Sequence, residues 1–397
     1  MSEGASRRDV LATAGIGALF AAAAGSQSQA ADYERAAPAG APGANKSVEF
    51  YPPATDHGNL GALRFSFEDA YTRRTEAGWA REVTIRQFPI AKTVAGVNMR
   101  LPKGAVRELH WHKQAEWAFM LSGKARITAV DQEARTFIDD VEAGDLWFFP
   151  GGIPHSIQGL GDDGCEFLLA FDDGAFSEDS TFLITDWLAH TPRDVLAKNF
   201  GVDASVFDHI PPHELYIFNA PLPKPLAAER AESSRPDVPN SFSFKFMQQP
   251  PIKTRGGSVR IADRNNFKAS QTMSAAFVEV NPGGMRELHW HPLADEWQYY
   301  ISGRARMTVF ASRGEANTVD FRPRDVGYVP RAMGHYIENI GDEPLRFLEI
   351  FANGQYSDVS LSSWIANTPH TLVAAHLGLD AAMLARIPQT KTPVVPV

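Results

Sequence analysis

The sequence predicts an all-β chain made of two tandem copies of one sandwich or small-barrel domain, each followed by short α-helices. Three observations predict it. Arg107-Glu108-Leu109-His110-Trp111-His112 recurs as Arg286-Glu287-Leu288-His289-Trp290-His291, an offset of 179, and Phe65-Ser66-Phe67, His155 and Thr191-Pro192 return nearly in step as Phe242-Ser243-Phe244, His335 and Thr368-Pro369. Within each copy, short β-branched and aromatic runs alternate with Gly/Pro turns at the spacing of sandwiches and barrels. Apolar residues make up 44% and charged residues 21% of the 397, which can bury a sizeable core and excludes disordered, collagenous and membrane-channel chains.

In chain order, residues 1–30 read as an export signal. Ser6-Arg7-Arg8 leads into an apolar Ala/Gly-rich run at 11–25, and Ser28-Gln29-Ala30 supplies a small-x-small cleavage site. The paired arginines resemble a twin-arginine signal, so the mature protein is expected to be periplasmic or secreted. The run of about 15 residues falls short of the roughly 20 that span a bilayer, and no membrane partner is expected of the mature form. The Ala/Pro/Gly-rich segment 31–47 reads as a tether. The first domain is placed at 48–225 and the second at 226–397, with the Pro-rich, charged stretch 220–240 as linker. A period near 180 is too long for a solenoid unit, so each copy is expected to hold its own core. Strands are predicted over 83–88, 93–101, 116–121, 124–130, 146–150 and 166–171 of the first copy. Thr191 and Thr368 read as helix N-caps followed by Pro, with Gly201 and Gly378 as stops and further short helices from Asp203 and Asp380.

The 47 acidic residues outnumber 38 basic ones, giving a net charge of −9. No Lys/Arg-rich run stands out, which argues against a nucleic-acid partner. The single cysteine, Cys165, leaves no intrachain disulfide and no thiolate zinc site. Any metal must be held by histidines and carboxylates.

Side chains two apart on a strand share a face, so His110 and His112 converge while Trp111 points away. Glu116 and His155 complete a three-nitrogen, one-oxygen set, and the second copy offers His289, His291, Glu296 and His335. A lone His-x-His is more often an ordinary strand, but six of the twelve histidines fall into two matching sets. Neutral imidazoles with one hard carboxylate suit Mn, Fe, Ni or Zn.

These residues resemble the cupin superfamily. Gly104, His110, His112, Glu116 and Gly123 meet its first motif, as do Gly283, His289, His291, Glu296 and Gly303; Gly144, Pro150, Gly152 and His155 meet the second. The closing Asn of that motif is Gly159 in the first copy and Asn339 in the second, while Arg324 and Ala332 replace two glycines. The resemblance implies a bicupin, two jelly-roll barrels with one metal ion in each.

Arg107 and Arg286 precede the histidine pairs by three residues and suit a clamp on a carboxylate that also ligates the metal. Strict alternation would put Arg107 on the face opposite His110, so a strand irregularity is required. Glu178 lies in the turn-rich run 172–181, where a polar loop can act as a lid carrying a carboxyl group. The aligned residue in the second copy is Asp358. Glu349 sits within the apolar run 347–351 where the first copy has Leu169, and a carboxylate so placed is expected to face its metal.

Taken with Ala115-Glu116-Trp117 and the lid, the chain resembles the bacterial bicupin oxalate decarboxylases. The resemblance implies manganese, one ion per domain, and conversion of oxalate to formate and carbon dioxide with dioxygen as co-catalyst. It further implies catalysis chiefly at the first site, with Glu178 as proton donor and acceptor and Arg107 as clamp. Arg286 and Glu349 would serve a second site, and trimer-based hexamers are implied. The family's lid reads Ser-Glu-Asn-Ser; here Asp179 replaces the Asn, and the added charge bears on lid closure and on the partition between decarboxylation and oxidation. An oxalate oxidase is the nearest alternative. A dioxygenase would carry iron, and a storage bicupin would have little use for two intact ligand sets and a lid carboxylate.

Overall fold

The computed structural model describes residues 52–233 and 235–397. The export signal at 1–30 and the tether at 31–47 lie outside the described residues. Two antiparallel barrels follow, as the repeat predicts. In the first, Ala95–Leu101, Ala105–Trp111, Glu116–Val130, Leu146–Phe149, His155–Gly159 and Cys165–Phe171 belong to one twelve-stranded sheet; in the second, the corresponding strands divide between a seven-stranded and a six-stranded sheet. Among the described residues, no helix is long and apolar enough to cross a membrane.

The expected strands 116–121 and 124–130 are one continuous strand. Its first half pairs with Leu146–Phe149 and Cys165–Phe171, and its second with Thr136–Glu142 and His155–Gly159. It turns this corner at Gly123 (φ +77°), where a Cβ would stand 2.0 Å from the Gly164 carbonyl oxygen. The expected strand 83–88 is corrected: the strand is Gly78–Val83, and Thr84 begins a turn. The side-chain oxygen of Gln87 accepts from the N–H and hydroxyl of Thr84, a local bond that competes with extended pairing.

The barrels exchange strands. Arg64–Ser66, ahead of the first barrel, pairs with Asp325–Gly327 of the second, whereas Ser243–Phe244 pairs with Leu146 and Trp147 of the first. Hydrogen bonding thus crosses the division drawn at 225/226. The expectation of separate cores is corrected in the same way. The second barrel has its own interior cluster around Tyr300, Met307 and Phe347, but the interior of the first runs on into an aromatic layer of Phe67, Phe88, Trp297, Tyr299 and Tyr328 shared by both. Gly96 makes this possible, since a Cβ there would lie 2.5 Å from the Trp297 ring.

The terminal helices are Ile184–Ala189 and Arg193–Phe200 in the first copy and Leu361–Asn367 and His370–Leu377 in the second. Gly201 and Gly378 stop them in the left-handed conformation, as expected. The N-caps shift by one residue to Pro192 and Pro369. Thr191 and Thr368 instead donate their hydroxyls back to the Trp187 and Trp364 carbonyls, closing the preceding helices. In the second copy, Arg324 (φ +72°) and Ala332 (φ +66°) keep the left-handed turns that the first copy builds with Gly144 and Gly152, at about 1 kcal/mol of strain each.

Candidate metal centres

The strand Ala105–Trp111 pairs with His155–Gly159, and its register shifts between Arg107 and His110. Met285–Trp290 repeats the shift between Arg286 and His289. This is the irregularity that alternation required. Arg107, Glu108 and His110 are buried in succession while Leu109 is exposed, so the bulge turns Arg107 inward without losing the histidine pair.

In each barrel the four predicted ligands bring one donor atom apiece to within 4.8 Å of one another, all buried. Every imidazole directs Nδ1 at a backbone carbonyl: His110 at Glu108, His112 at Gln114, His155 at Ile153, His289 at Glu287, His291 at Ser357 and His335 at Met333, over 2.5–3.1 Å. A carbonyl only accepts, so each Nδ1 carries the proton and each Nε2 presents a lone pair to the centre. The Nε2 atoms of His289 and His291 then face each other at 3.1 Å, a repulsive arrangement unless a cation lies between. Burial lowers the pKa of His110, His155 and His289 and keeps them neutral. His291 shifts up, because the adjacent Glu296 outweighs its burial.

The carboxylates are arranged in kind. Glu116 Oε1 accepts from the Trp147 indole at 2.8 Å, leaving Oε2 3.3 Å from His112 and 3.4 Å from His155. Glu296 Oε1 accepts from Gln298 at 2.8 Å, and its Oε2 lies 2.7 Å from His335 and 3.0 Å from His291. Burial pushes both carboxyls up, but the surrounding histidines prevail and hold them well below the usual range. Three bare imidazole nitrogens and one ionised oxygen fit a hard or borderline divalent cation in each barrel.

Around the first centre, the loop after Cys165–Phe171 folds back over the barrel. Phe176 stacks on Phe171 at 3.5 Å and meets the His112 ring edge-on at 5.9 Å, and further along Leu183 pairs with His110. Glu178 lies between these anchors with its side chain only 10% exposed, against the expectation for a loop carboxylate. Its Oε2 accepts from Arg107 at 3.3 Å and from the Tyr216 hydroxyl at 3.0 Å. Asp179 turns outward and is 82% exposed.

Around the second centre, Arg286 is enclosed by acceptors. Its Nε meets Glu349 at 3.0 Å, one terminal nitrogen meets Asp358 at 2.5 Å and the Tyr356 hydroxyl at 2.9 Å, and the other the Pro393 carbonyl at 3.3 Å. Glu349 completes this web through Tyr356 at 3.1 Å and stands outside the four converging ligand atoms. Burial raises its pKa, with Arg286 opposing. Lys391 bonds to Asp358.

Sequence reasoning missed Tyr216, Glu108 and Glu82. Glu108, buried in the bulge, accepts from the N–H and hydroxyl of Thr185 and from the N–H groups of Leu215 and Tyr216. The repeated Arg-Glu pair was its only sequence signal.

The chain matches the Cupin family over 66–207 and again over 244–384. It is 56% identical to the oxalate decarboxylase OxdC of Bacillus subtilis over 344 residues, 87% of this chain and 89% of that protein. It is 40% identical to a probable oxalate decarboxylase of Arthroderma benhamiae, over 86% of this chain and 85% of that one. A solved structure of the B. subtilis enzyme, described for its Mn(II) centres, superposes with a TM-score of 0.85 over 87% of this chain and 91% of its own. With two barrels, two complete ligand sets and this likeness along most of its length, the chain belongs to the cupin family, among the bicupins of oxalate decarboxylase type.

Proposed function

We propose that the chain is a manganese-dependent oxalate decarboxylase whose first centre converts oxalate to formate and carbon dioxide. The observation that carries this reading is the Arg107–Glu178–Tyr216 cluster beside His110, His112, Glu116 and His155. The names of the relatives and the Mn(II) centres of one of them support it. Manganese, which those four residues would hold, would supply a Lewis acid and a one-electron couple, with dioxygen as co-catalyst.

The protein does the rest. Arg107, fixed by the bulge, neutralises the second carboxylate of oxalate. Glu178 takes the proton of hydrogen oxalate and, once the C–C bond has broken, returns it to the carbon that becomes formate. Tyr216 orients the carboxyl group for both transfers, and Phe176 beside His112 helps to exclude water. The reaction balances as hydrogen oxalate giving formate and carbon dioxide. A leak through oxidation would instead consume oxalate, dioxygen and two protons to give two carbon dioxides and hydrogen peroxide.

The test is to incubate manganese-loaded protein with oxalate at mildly acidic pH and measure formate and peroxide together. Formate with little peroxide is expected, and Glu178→Ala should abolish formate while keeping the manganese. Peroxide without formate would make the chain an oxidase, and unchanged formate from Glu178→Ala would remove Glu178 from its role. We further propose, from the signal-like residues 1–30 and from the family resemblance, that the chain is exported and assembles into a homo-oligomer. Exposed Leu109, Trp187, Leu288 and Trp364 offer apolar surface for assembly, tested by light scattering, and export is tested by fractionating cells with the Arg7-Arg8 pair intact or replaced by Lys.

A further inference from the structure

Glu178 rides on a single 3-10 turn, Glu178–Ser180, that buries no residue and whose cap, Ser177, makes no side-chain capping bond. Little within the turn fixes it. Two side chains from neighbouring strands do. Glu82, on Gly78–Val83, accepts the backbone N–H of Glu178 at 3.0 Å. Arg73, on Thr72–Thr75, approaches Asp179 at 3.9 Å, bonds to Glu214, and lays its guanidinium carbon 3.6 Å from the centroid of the Tyr216 ring. That ring's hydroxyl donates to Glu178, and Arg107 lies 4.5 Å from the same centroid. Arg73, Glu82, Glu178, Asp179 and Tyr216 line a cavity of about 140 Å³.

We propose that Glu82 and Arg73 are positioning residues that hold the Glu178 carboxyl against Arg107 and Tyr216, and thereby set the fraction of turnovers that end in formate rather than peroxide. This rests on Glu178 being the proton carrier. Glu82 fixes the backbone of that residue, Arg73 fixes its tyrosine partner and the next residue of the lid, and neither reaches the substrate. The choice between the two products depends on returning a proton to carbon before a second electron is lost. Displacement of the carboxyl by about 1 Å can cost on the order of a hundredfold in such a transfer, while substrate binding through Arg107 is unaffected. Asp179 gives Arg73 an anionic partner at 3.9 Å where the Asn of the family's lid would offer a neutral one.

The experiment compares full-length, manganese-loaded wild type with Glu82→Ala, Glu82→Gln and Arg73→Gln, measuring formate, peroxide, KM, kcat and metal content. Glu82→Ala is expected to raise peroxide per formate by about tenfold or more and to lower kcat for formate, with KM and manganese unchanged. Glu82→Gln, whose amide oxygen can accept the same N–H, restores the wild-type ratio. Arg73→Gln, on the rim, shifts the ratio in the same direction as Glu82→Ala and serves if the latter fails to fold. Wild-type ratios in both Glu82→Ala and Arg73→Gln would overturn the proposal, as would a Glu82→Gln variant as impaired as Glu82→Ala. A wild type making no formate, or a Glu178→Ala variant still making it, would instead sink the reading of Glu178.

Discussion

Replacing Glu108 by Gln tests how the first centre is held together. The carboxylate is 1% exposed and accepts four hydrogen bonds: one oxygen takes the N–H (3.0 Å) and hydroxyl of Thr185, the other the N–H groups of Leu215 (2.9 Å) and Tyr216 (2.8 Å). Turned with its oxygen toward Leu215 and Tyr216, the amide keeps both of those bonds and its NH2 can donate to the Thr185 hydroxyl, which then accepts, so the Thr185 N–H alone is left without an acceptor. One bond to a charged acceptor is lost and the others are weakened, so the expected destabilisation is about 1.5–3 kcal/mol. That is a sizeable part of a stability of about 5–15 kcal/mol. Glu287, its counterpart, is the internal control. It accepts from Ser360 at 2.6 Å, its other oxygen makes no hydrogen bond, and burial raises its pKa, so Glu287→Gln should cost about 1 kcal/mol or less. Because two barrels need not unfold together, urea titration should be followed by hydrogen exchange resolved to the strand 105–111 and its counterpart. Equal losses in the two variants, or a loss below about 1 kcal/mol at Glu108, would refute the claim that this carboxylate ties the His-x-His strand to Tyr216 and the end of the lid.

His155→Ala removes one ligand from the first set, and metal analysis should find manganese falling from two ions per chain toward one, with formate lost. His335→Ala should lose as much metal and keep most of the activity. Burial and the nearby Glu178 and Asp179 raise the pKa of Glu82, so its ionisation costs stability as pH rises through that value. Glu82→Gln should therefore melt higher than wild type at pH 7, with the difference closing below the unfolded value of about 4.3; a difference constant from pH 4 to 7 would contradict this. At the second centre, oxalate added to manganese-loaded His155→Ala protein should leave the electron paramagnetic resonance of the remaining ion unchanged, and a substrate-dependent spectrum there would show that Arg286 can be freed.

The ligand sets were legible because period 2 along a strand and a repeat with constant spacing are local properties of the sequence. So were two barrels, since most turns between the strands are punctuated by Gly or Pro. Arg107 was legible only as a problem: three residues before His110 it belongs on the wrong face, and the bulge that rescues it depends on pairing with a strand some fifty residues away. Tyr216 and Glu82 lie outside both cupin motifs, reach the lid through tertiary packing, and carry no period of their own. The exchanged strands were invisible for a related reason. Arg64–Ser66 and Ser243–Phe244 look alike within the repeat, and nothing local to either says which barrel it joins.

The two centres show why ligand identity alone does not fix reactivity. Both present the same four donors, yet replacing Leu169 with Glu349 changes what the neighbouring arginine can do. A buried carboxylate must be paired, and Arg286 is the cation at hand, so its Nε is committed to Glu349 and its terminal nitrogens to Asp358, Tyr356 and the Pro393 carbonyl. Lys391 on Asp358 draws the chain's C-terminal segment into the same web. A substrate carboxylate could engage Arg286 only by displacing one of these acceptors, leaving it desolvated and unpaired. Arg107 has no such web. Its bond to the Tyr216 carbonyl is long, at 3.4 Å, and its carboxylate partner sits on a short 3-10 turn with no side-chain cap. On the proposed function, oxalate would take up the guanidinium of Arg107 by displacing a single carboxylate, that of Glu178, which would then be free to carry the proton. The same ligand set thus stands beside an arginine with one carboxylate partner in one barrel and beside an arginine committed to two carboxylates, a tyrosine and a carbonyl in the other.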